Sequence, residues 1–297
     1  MQAMLDIDKI KDIVKLAIEE DVGKGDITSE LFVPEGSISE GAFIAKEEGV
    51  IAGFPVAEYV FSQIDGNLAF TSYVKEGTSV NKGTVIADIK GFTMSILSAE
   101  RLVLNFMQRL SGIATITNRF VERVKGCEAR IMDTRKTTPG WRYLEKYAVK
   151  VGGGHNHRIG LYDQILVKDN HLKIMGIDKG NKGVFNELVK KAKKQTGNML
   201  VEVEIEDIYF VKDMLDAGVD IILFDNMEPS KISEAVGMIR EYKKAGKTEM
   251  GKQTLTEVSG NITLENVEAY AKTGVDRISI GAITHSAMAL DISLEIV

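Results

Sequence analysis

The chain has a single cysteine among its 297 residues, Cys127, so it forms no intrachain disulfide and no metal centre built on several thiolates. No apolar run approaches the roughly 18 residues of a membrane-spanning helix. The opening, MQAMLDIDKIKDIVKL, alternates charges too densely for a secretory signal. There is no overall excess of positive charge either: the formal net charge is -6, which argues against nucleic acid or an anionic membrane as a partner. These absences leave a cytoplasmic globular protein, 44% hydrophobic and 27% charged, long enough for one or two domains.

What is present is concentrated between Asp133 and His171, which reads DTRKTTPGWRYLEKYAVKVGGGHNHRIGLYDQILVKDNH. From Arg130 to Lys173, nine Lys and Arg residues stand against four carboxylates, and three of the four histidines flank the run Gly152-Gly153-Gly154. So local an excess points to a focused pocket for a small polyanion. Arg142, Glu145, Lys146 and Lys150 fall at helical spacing and read as a solvated helix face. Arg135, Lys136, His157, Arg158 and Lys168 sit at strand ends or beside glycines and read as the pocket itself.

The periodicity predicts an amphipathic helix through Ile10, Ile13, Val14, Ala17 and Ile18 behind the caps Asp6 and Asp8, broken by residues 20–28. Strands are expected at 41–46, 68–74 and 85–89, with a helix over 55–63. One helix should start at Thr93 and a second should follow Ser111-Gly112, where the domain boundary is placed. Beyond it, six apolar strands (129–133, 164–168, 200–205, 220–225, 255–258 and 276–280) each precede a helical segment, as in a barrel or a doubly wound sheet. Polar residues collect at the strand C-termini: Asp133 to Lys136, Lys168 to Asn170, Glu204, Asp225-Asn226, Ser259-Gly260 and Gly281. Delivery of chemistry to one rim by successive strands is the habit of (β/α) barrels. In VEVEIE, Glu202 and Glu204 share a face, and Glu204 lies nearer the rim.

The runs TRKTTPGWRYLEKYAV, GGGHNHRIGL and KDNH, with ERLVLNFMQRLSGIATIT before them, resemble quinolinate phosphoribosyltransferase. The resemblance implies an N-terminal α/β sandwich domain (1–112, rejoined by a last strand in 290–297) and an incomplete, open-faced α/β barrel (113–289). It implies transfer of phosphoribosyl from phosphoribosyl pyrophosphate (PRPP) to quinolinate, yielding nicotinate mononucleotide, pyrophosphate and carbon dioxide. By the same resemblance Arg135, His157 and Arg158 bind quinolinate, with Lys136 close by and Arg101 reaching in from the other subunit of a homodimer, or of a higher oligomer built from such dimers. Lys168, Glu204 and Asp225 fall on the PRPP side, Lys136 and these three are the catalytic set, and Mg²⁺ enters with PRPP near Glu204 and Asp225. Ser259, Gly260, Asn261 and Gly281 would cradle the 5'-phosphate, helped by a helix N-terminus near Thr263. Asn261 stands where the family usually has a second glycine, and asparagine tolerates unusual backbone angles.

Three other readings compete: a paralogue of the same fold associated with molybdenum transport, a zinc hydrolase using the His155-Asn156-His157 pair, and a non-catalytic sensor of PRPP or pyridine carboxylates. The intact TRKTTPG and KDNH runs favour quinolinate, and further zinc ligands are hard to find when only His171 and His285 remain.

Overall fold

The computed structural model describes residues 4–176, 182–246 and 254–297. Two compact units emerge, Met1–Arg119 with Lys136–Gly154 and Gly281–Val297 in one, and Phe120–Arg135 with His155–Ile280 in the other.

Up to the long connecting helix, the elements are α1 (Lys11–Asp21), α2 (Ile27–Phe32), β1 (Ile38–Ala45), β2 (Gly49–Val50), α3 (Phe54–Ile64), β3 (Ala69–Ser72), β4 (Ser79–Val80), β5 (Val85–Phe92) and α4 (Thr93–Arg123). Then come β6 (Arg130–Met132), α5 (Arg142–Val151), β7 (Ile165–Val167), α6 (Asp169–Ile174), α7 (Lys182–Gln195), β8 (Val201–Ile205) and α8 (Val211–Ala217). The remainder is β9 (Ile221–Asp225), α9 (Pro229–Lys244), β10 (Leu255–Ser259), α10 (Val267–Ala271), β11 (Arg277–Ser279), α11 (Ala282–His285) and β12 (Ile292–Ile296).

In the first unit an antiparallel sheet runs β12-β1-β5-β3. Alternation in β1 turns Phe43 and Ala45 inward, and Phe43 meets Phe61 of α3 and Phe70 of β3 edge-on. Strand β12 pairs with β1 from Gly41 opposite Ile296 to Ala45 opposite Ile292.

Two sequence expectations fail here. Residues 20–28 are not all break, because the Asp26 carboxylate accepts the Ser29 N–H at 3.0 Å and starts α2. The expected interruption at Ser111-Gly112 is also absent, since α4 continues for 31 residues. Ser111 Oγ instead bonds the Ala52 N–H and carbonyl (2.9 and 3.1 Å), and a side chain at Gly112 would collide with the Met288 carbonyl. The glycine serves close backbone approach, not helix termination.

The second unit is a six-stranded parallel sheet ordered β6-β11-β10-β9-β8-β7. From β7 to β11 each strand lies beside its successor, the winding of a barrel, and β6 then adds beside β11. Among the described residues β6 and β7 do not pair with each other, so the barrel is open. Register is pinned at the strand N-termini by half-buried carboxylates: Asp220 accepts the Val201 N–H at 2.9 Å, and Asp276 accepts the Thr256 N–H and hydroxyl at 2.7 and 2.8 Å.

Candidate active site

The second unit brings together, at the C-terminal ends of its strands, most of the residues singled out from the sequence. After β6, buried Asp133 accepts the His157 N–H at 2.8 Å and donates its own N–H to the His155 carbonyl, clamping the HNHR segment to the strand end. Arg158 is buried, with Nη1 on the Gln164 carbonyl at 3.1 Å. Burial, and then the positive charge of Arg135, hold Arg158 below its ordinary pKa. The carboxylates of Glu202 and Asp163 act on it in the opposite sense.

The His157 side chain is only 7% exposed. Its Nε2 lies 3.0 Å from Glu202 Oε2 and 3.4 Å from Glu257 Oε1, while Nδ1 accepts the Arg158 N–H at 2.7 Å. Its neighbour in the His155-Asn156-His157 pair, His155, is exposed.

At the end of β7, Lys168 Nζ meets Glu204 Oε2 at 3.0 Å. The KDNH motif has a local cause too: His171 Nδ1 accepts the Lys168 N–H at 2.9 Å and caps the start of α6. Asp225 ends β9, with Oδ1 accepting the Ser259 hydroxyl at 2.8 Å and Oδ2 accepting from Asn226 Nδ2 at 2.7 Å. In the following loop Gly260 and Asn261 take φ of 97° and 52°, and a side chain at Gly260 would strike Asn226. Asn261 thus adopts the left-handed backbone expected of it. The helix expected near Thr263 begins only at Val267 and is five residues long, because Asn266 Oδ1 accepts the Thr263 N–H at 2.8 Å and holds residues 263–266 in turns.

Lys136 and Gly281 belong to the first unit, where they adjoin: a side chain at Gly281 would meet the Lys136 stem, and Thr284 Oγ1 donates to the Lys136 carbonyl at 2.8 Å. Arg101 is exposed on α4 of the same unit.

One further reading needs correction. Helix α5 is a solvated face only in part: Lys150 is exposed and Arg142 half-buried, but Glu145 and Lys146 are buried. Glu145 is held by Arg109 Nη2 at 2.7 Å and by the Thr138 hydroxyl and N–H at 2.9 and 3.2 Å. In the glycine run, side chains at Gly152 and Gly154 would run into Ala114 and Thr117 of α4, so these glycines serve close packing. Sequence reading placed Asp133 at the strand end without a role, missed Gln164 and Glu257, and passed over Glu202. The period-two spacing of Glu257 and Ser259 in LTEVS was the available signal for Glu257.

Residues 113–295 match the family described as quinolinate phosphoribosyl transferase, C-terminal domain, and residues 26–111 match the corresponding N-terminal domain. Over 289 residues the chain is 42% identical to the probable nicotinate-nucleotide pyrophosphorylase (carboxylating) of Bacillus subtilis, covering 97% of this chain and 93% of that protein. It is 41% identical over 304 residues to a mitochondrial quinolinate phosphoribosyltransferase (decarboxylating) of Nicotiana tabacum, covering 97% and 82%. The solved nicotinate-nucleotide pyrophosphorylase of Francisella tularensis superposes with a TM-score of 0.88 at 37% identity, covering 100% of this chain and 99% of that one.

Proposed function

Because this chain belongs to the quinolinate phosphoribosyltransferase family, we infer that the rim of the parallel sheet is where its reaction takes place. The chain transfers phosphoribosyl from PRPP to quinolinate and yields nicotinate mononucleotide, a step of NAD biosynthesis. The observation that carries the placement is the buried Arg158, on which the positive charge of the half-buried Arg135 also bears. A planar dicarboxylate matches this positive end, and each guanidinium can grip a carboxylate through two parallel hydrogen bonds. His157 stands at the same end, with Lys136 next to Arg135 in the chain.

Lys168, Glu204 and Asp225 make up the PRPP end. The quinolinate ring nitrogen attacks C1 of the ribose as the bond from C1 to the pyrophosphate oxygen breaks. Lys168 offsets the charge gathering on pyrophosphate, and the carboxylates of Glu204 and Asp225 favour the cation-like sugar. Once the ring nitrogen is quaternary, the adjacent carboxylate leaves as carbon dioxide, and the electron pair left on the ring carbon takes up a proton. Orientation and charge neutralisation account for the protein's part.

Glu204 and Asp225 are hard oxygen donors at the strand ends, the chemistry that Mg²⁺ prefers, and they would hold the ion that accompanies PRPP and offsets pyrophosphate charge. Ser259, Gly260, Asn261 and Gly281 would receive the 5'-phosphate on backbone N–H groups. The assembly is a homodimer, with Arg101 completing the partner's quinolinate end. The setting is cytoplasmic, which fits the lone cysteine; no helix among the described residues is long and apolar enough to cross a membrane.

The test is an assay of purified protein with PRPP, Mg²⁺ and either quinolinate or nicotinate, following nicotinate mononucleotide and carbon dioxide. Nicotinate lacks the second carboxylate and would leave a buried cation unpaired, so its kcat/KM should be lower by about 100-fold or more. Equal values for the two acids would remove the acid-recognition assignment.

A further inference from the structure

Strands β8 and β10 each carry two polar residues on one face, one at the rim and one a pleat lower, roughly 7 Å down the strand. On β8 the pair is Glu204 above Glu202, and on β10 it is Ser259 above Glu257. The lower residues, Glu202 and Glu257, have no solvent exposure. Buried carboxylates weaken a fold unless their charge is answered, and apolar residues would serve packing at least as well. Their surroundings indicate what else they do.

Glu202 Oε2 takes the Gln164 amide at 2.5 Å and faces His157 Nε2 at 3.0 Å. Glu257 Oε1 takes the Ser279 hydroxyl and faces the same Nε2 at 3.4 Å, while Arg277 stands 3.8 Å from its other oxygen. From Glu202 two short chains of contacts lead to Arg158. One passes through the His157 ring, whose Nδ1 accepts the Arg158 N–H at 2.7 Å. The other passes through Gln164, whose carbonyl accepts Arg158 Nη1 at 3.1 Å. One route fixes the Arg158 backbone and the other its guanidinium.

We propose that Glu202 and Glu257 are positioning residues for acid recognition, and that His157 is the post on which they set Arg158, not a ligand of the acid. The proposal rests on the assignment of Arg158 to the acid. Both ring nitrogens of His157 are engaged inside the protein, so neither is left to reach toward a substrate carboxylate.

Burial opposes a positive ring, but Glu202 and Glu257 outweigh it and push the His157 pKa up to about 10. Against a second ring proton stands the Arg158 N–H, which needs the Nδ1 lone pair, and this direct hydrogen bond decides the matter. The ring proton therefore sits on Nε2. A divalent metal is not required at this three-residue cluster, because Gln164, Ser279 and the imidazole already supply donors to it.

The test combines steady-state kinetics of the full chain with nitrogen-15 spectra of its histidine rings. Glu202→Gln and Glu257→Gln should raise the KM for quinolinate about tenfold while the KM for PRPP stays within about twofold. Normal KM values for both substrates with only a lower melting temperature would make the cluster a packing feature and overturn the proposal. Arg158→Ala serves as the control on the underlying assignment. If it raises the quinolinate KM and the glutamate variants do not, positioning alone fails; if it leaves that KM unchanged, the assignment of the acid fails and the proposal with it.

Should the glutamate variants not fold, two measurements remain. His157→Gln, whose amide reaches the place of Nε2, should retain quinolinate binding better than His157→Asn, and the reverse order would overturn the proposal. In the wild-type protein the His157 ring should carry its single proton on Nε2 with and without quinolinate. Protonation of Nδ1 on addition of the acid would make His157 a ligand.

Discussion

Arg109 and Glu145 form an ion pair, Nη2 to Oε1 at 2.7 Å, in which the carboxylate is wholly buried and the guanidinium one-quarter exposed. Arg109 also donates to the carbonyls of Thr284 and Ala287 at 2.6 and 2.7 Å, while Glu145 accepts from Thr138. One pair thus ties the segment after Lys136 to the segment after Gly281. Arg109→Ala would leave a buried carboxylate without its counter-charge and should cost about 3–5 kcal/mol of stability. Denaturant titration measures this, and a change under about 1 kcal/mol would mean that water replaces the guanidinium.

Lys168→Ala and Asp225→Asn should each lower kcat by about 100-fold while the fold survives, since both remove charge aimed at the departing pyrophosphate or the ribose. Turnover is to be measured at saturating quinolinate and PRPP, with circular dichroism as the folding control. Near-normal kcat in either variant would take that residue out of the catalytic set.

Arg101 is assigned to the partner's site, which subunit exchange can test. Arg101→Ala and Arg135→Ala should each be nearly inactive alone, yet a random mixture should recover toward about a quarter of wild-type activity, because half the dimers are mixed and each has one intact site. Heterodimers that form and remain inactive would place Arg101 in its own chain's structure.

Glu76 gives a pH dependence. It accepts the Gly53 and Phe54 N–H groups (2.6 and 3.2 Å) and the Tyr147 hydroxyl (2.8 Å), but burial outweighs these donors and raises its pKa above the usual carboxylate value. The folded chain therefore holds this proton more firmly than the unfolded one. Its contribution is full below the ordinary carboxylate range and is lost as pH rises through the folded value. Glu76→Gln does not titrate, so its stability penalty should be largest near pH 4 and shrink toward about pH 8. Denaturation midpoints of both proteins across that range are the measurement; a penalty that grows with pH would mean the donors dominate.

The parallel strands were legible because each is an apolar run with its polar residue at the C-terminal end, as in VEVEIE and IILFDN. Local patterns could not reveal partners distant in sequence. The charge spacing of α5 looks solvated until Arg109, 36 residues earlier, is seen against Glu145. Glu202 and Glu257 come from strands separated by β9 and meet only at His157. Ser111-Gly112 resembled a helix end because sequence does not distinguish a glycine that stops a helix from one that admits the backbone of residue 288.

The pairing of β12 with β1 also bears on how the chain is made. Strand β1 lies between β5 and β12, so until β12 emerges one row of its backbone donors and acceptors has no neighbour. Roughly 250 residues separate the two, a wait on the order of 10–50 s at ordinary synthesis rates. All six strands of the parallel sheet are translated within that interval, so the second unit has its full set of strands while the sheet begun before it still waits to be closed. Nascent chains halted before residue 292 should therefore present β1 as an open edge, available to chaperones or to other unfinished copies.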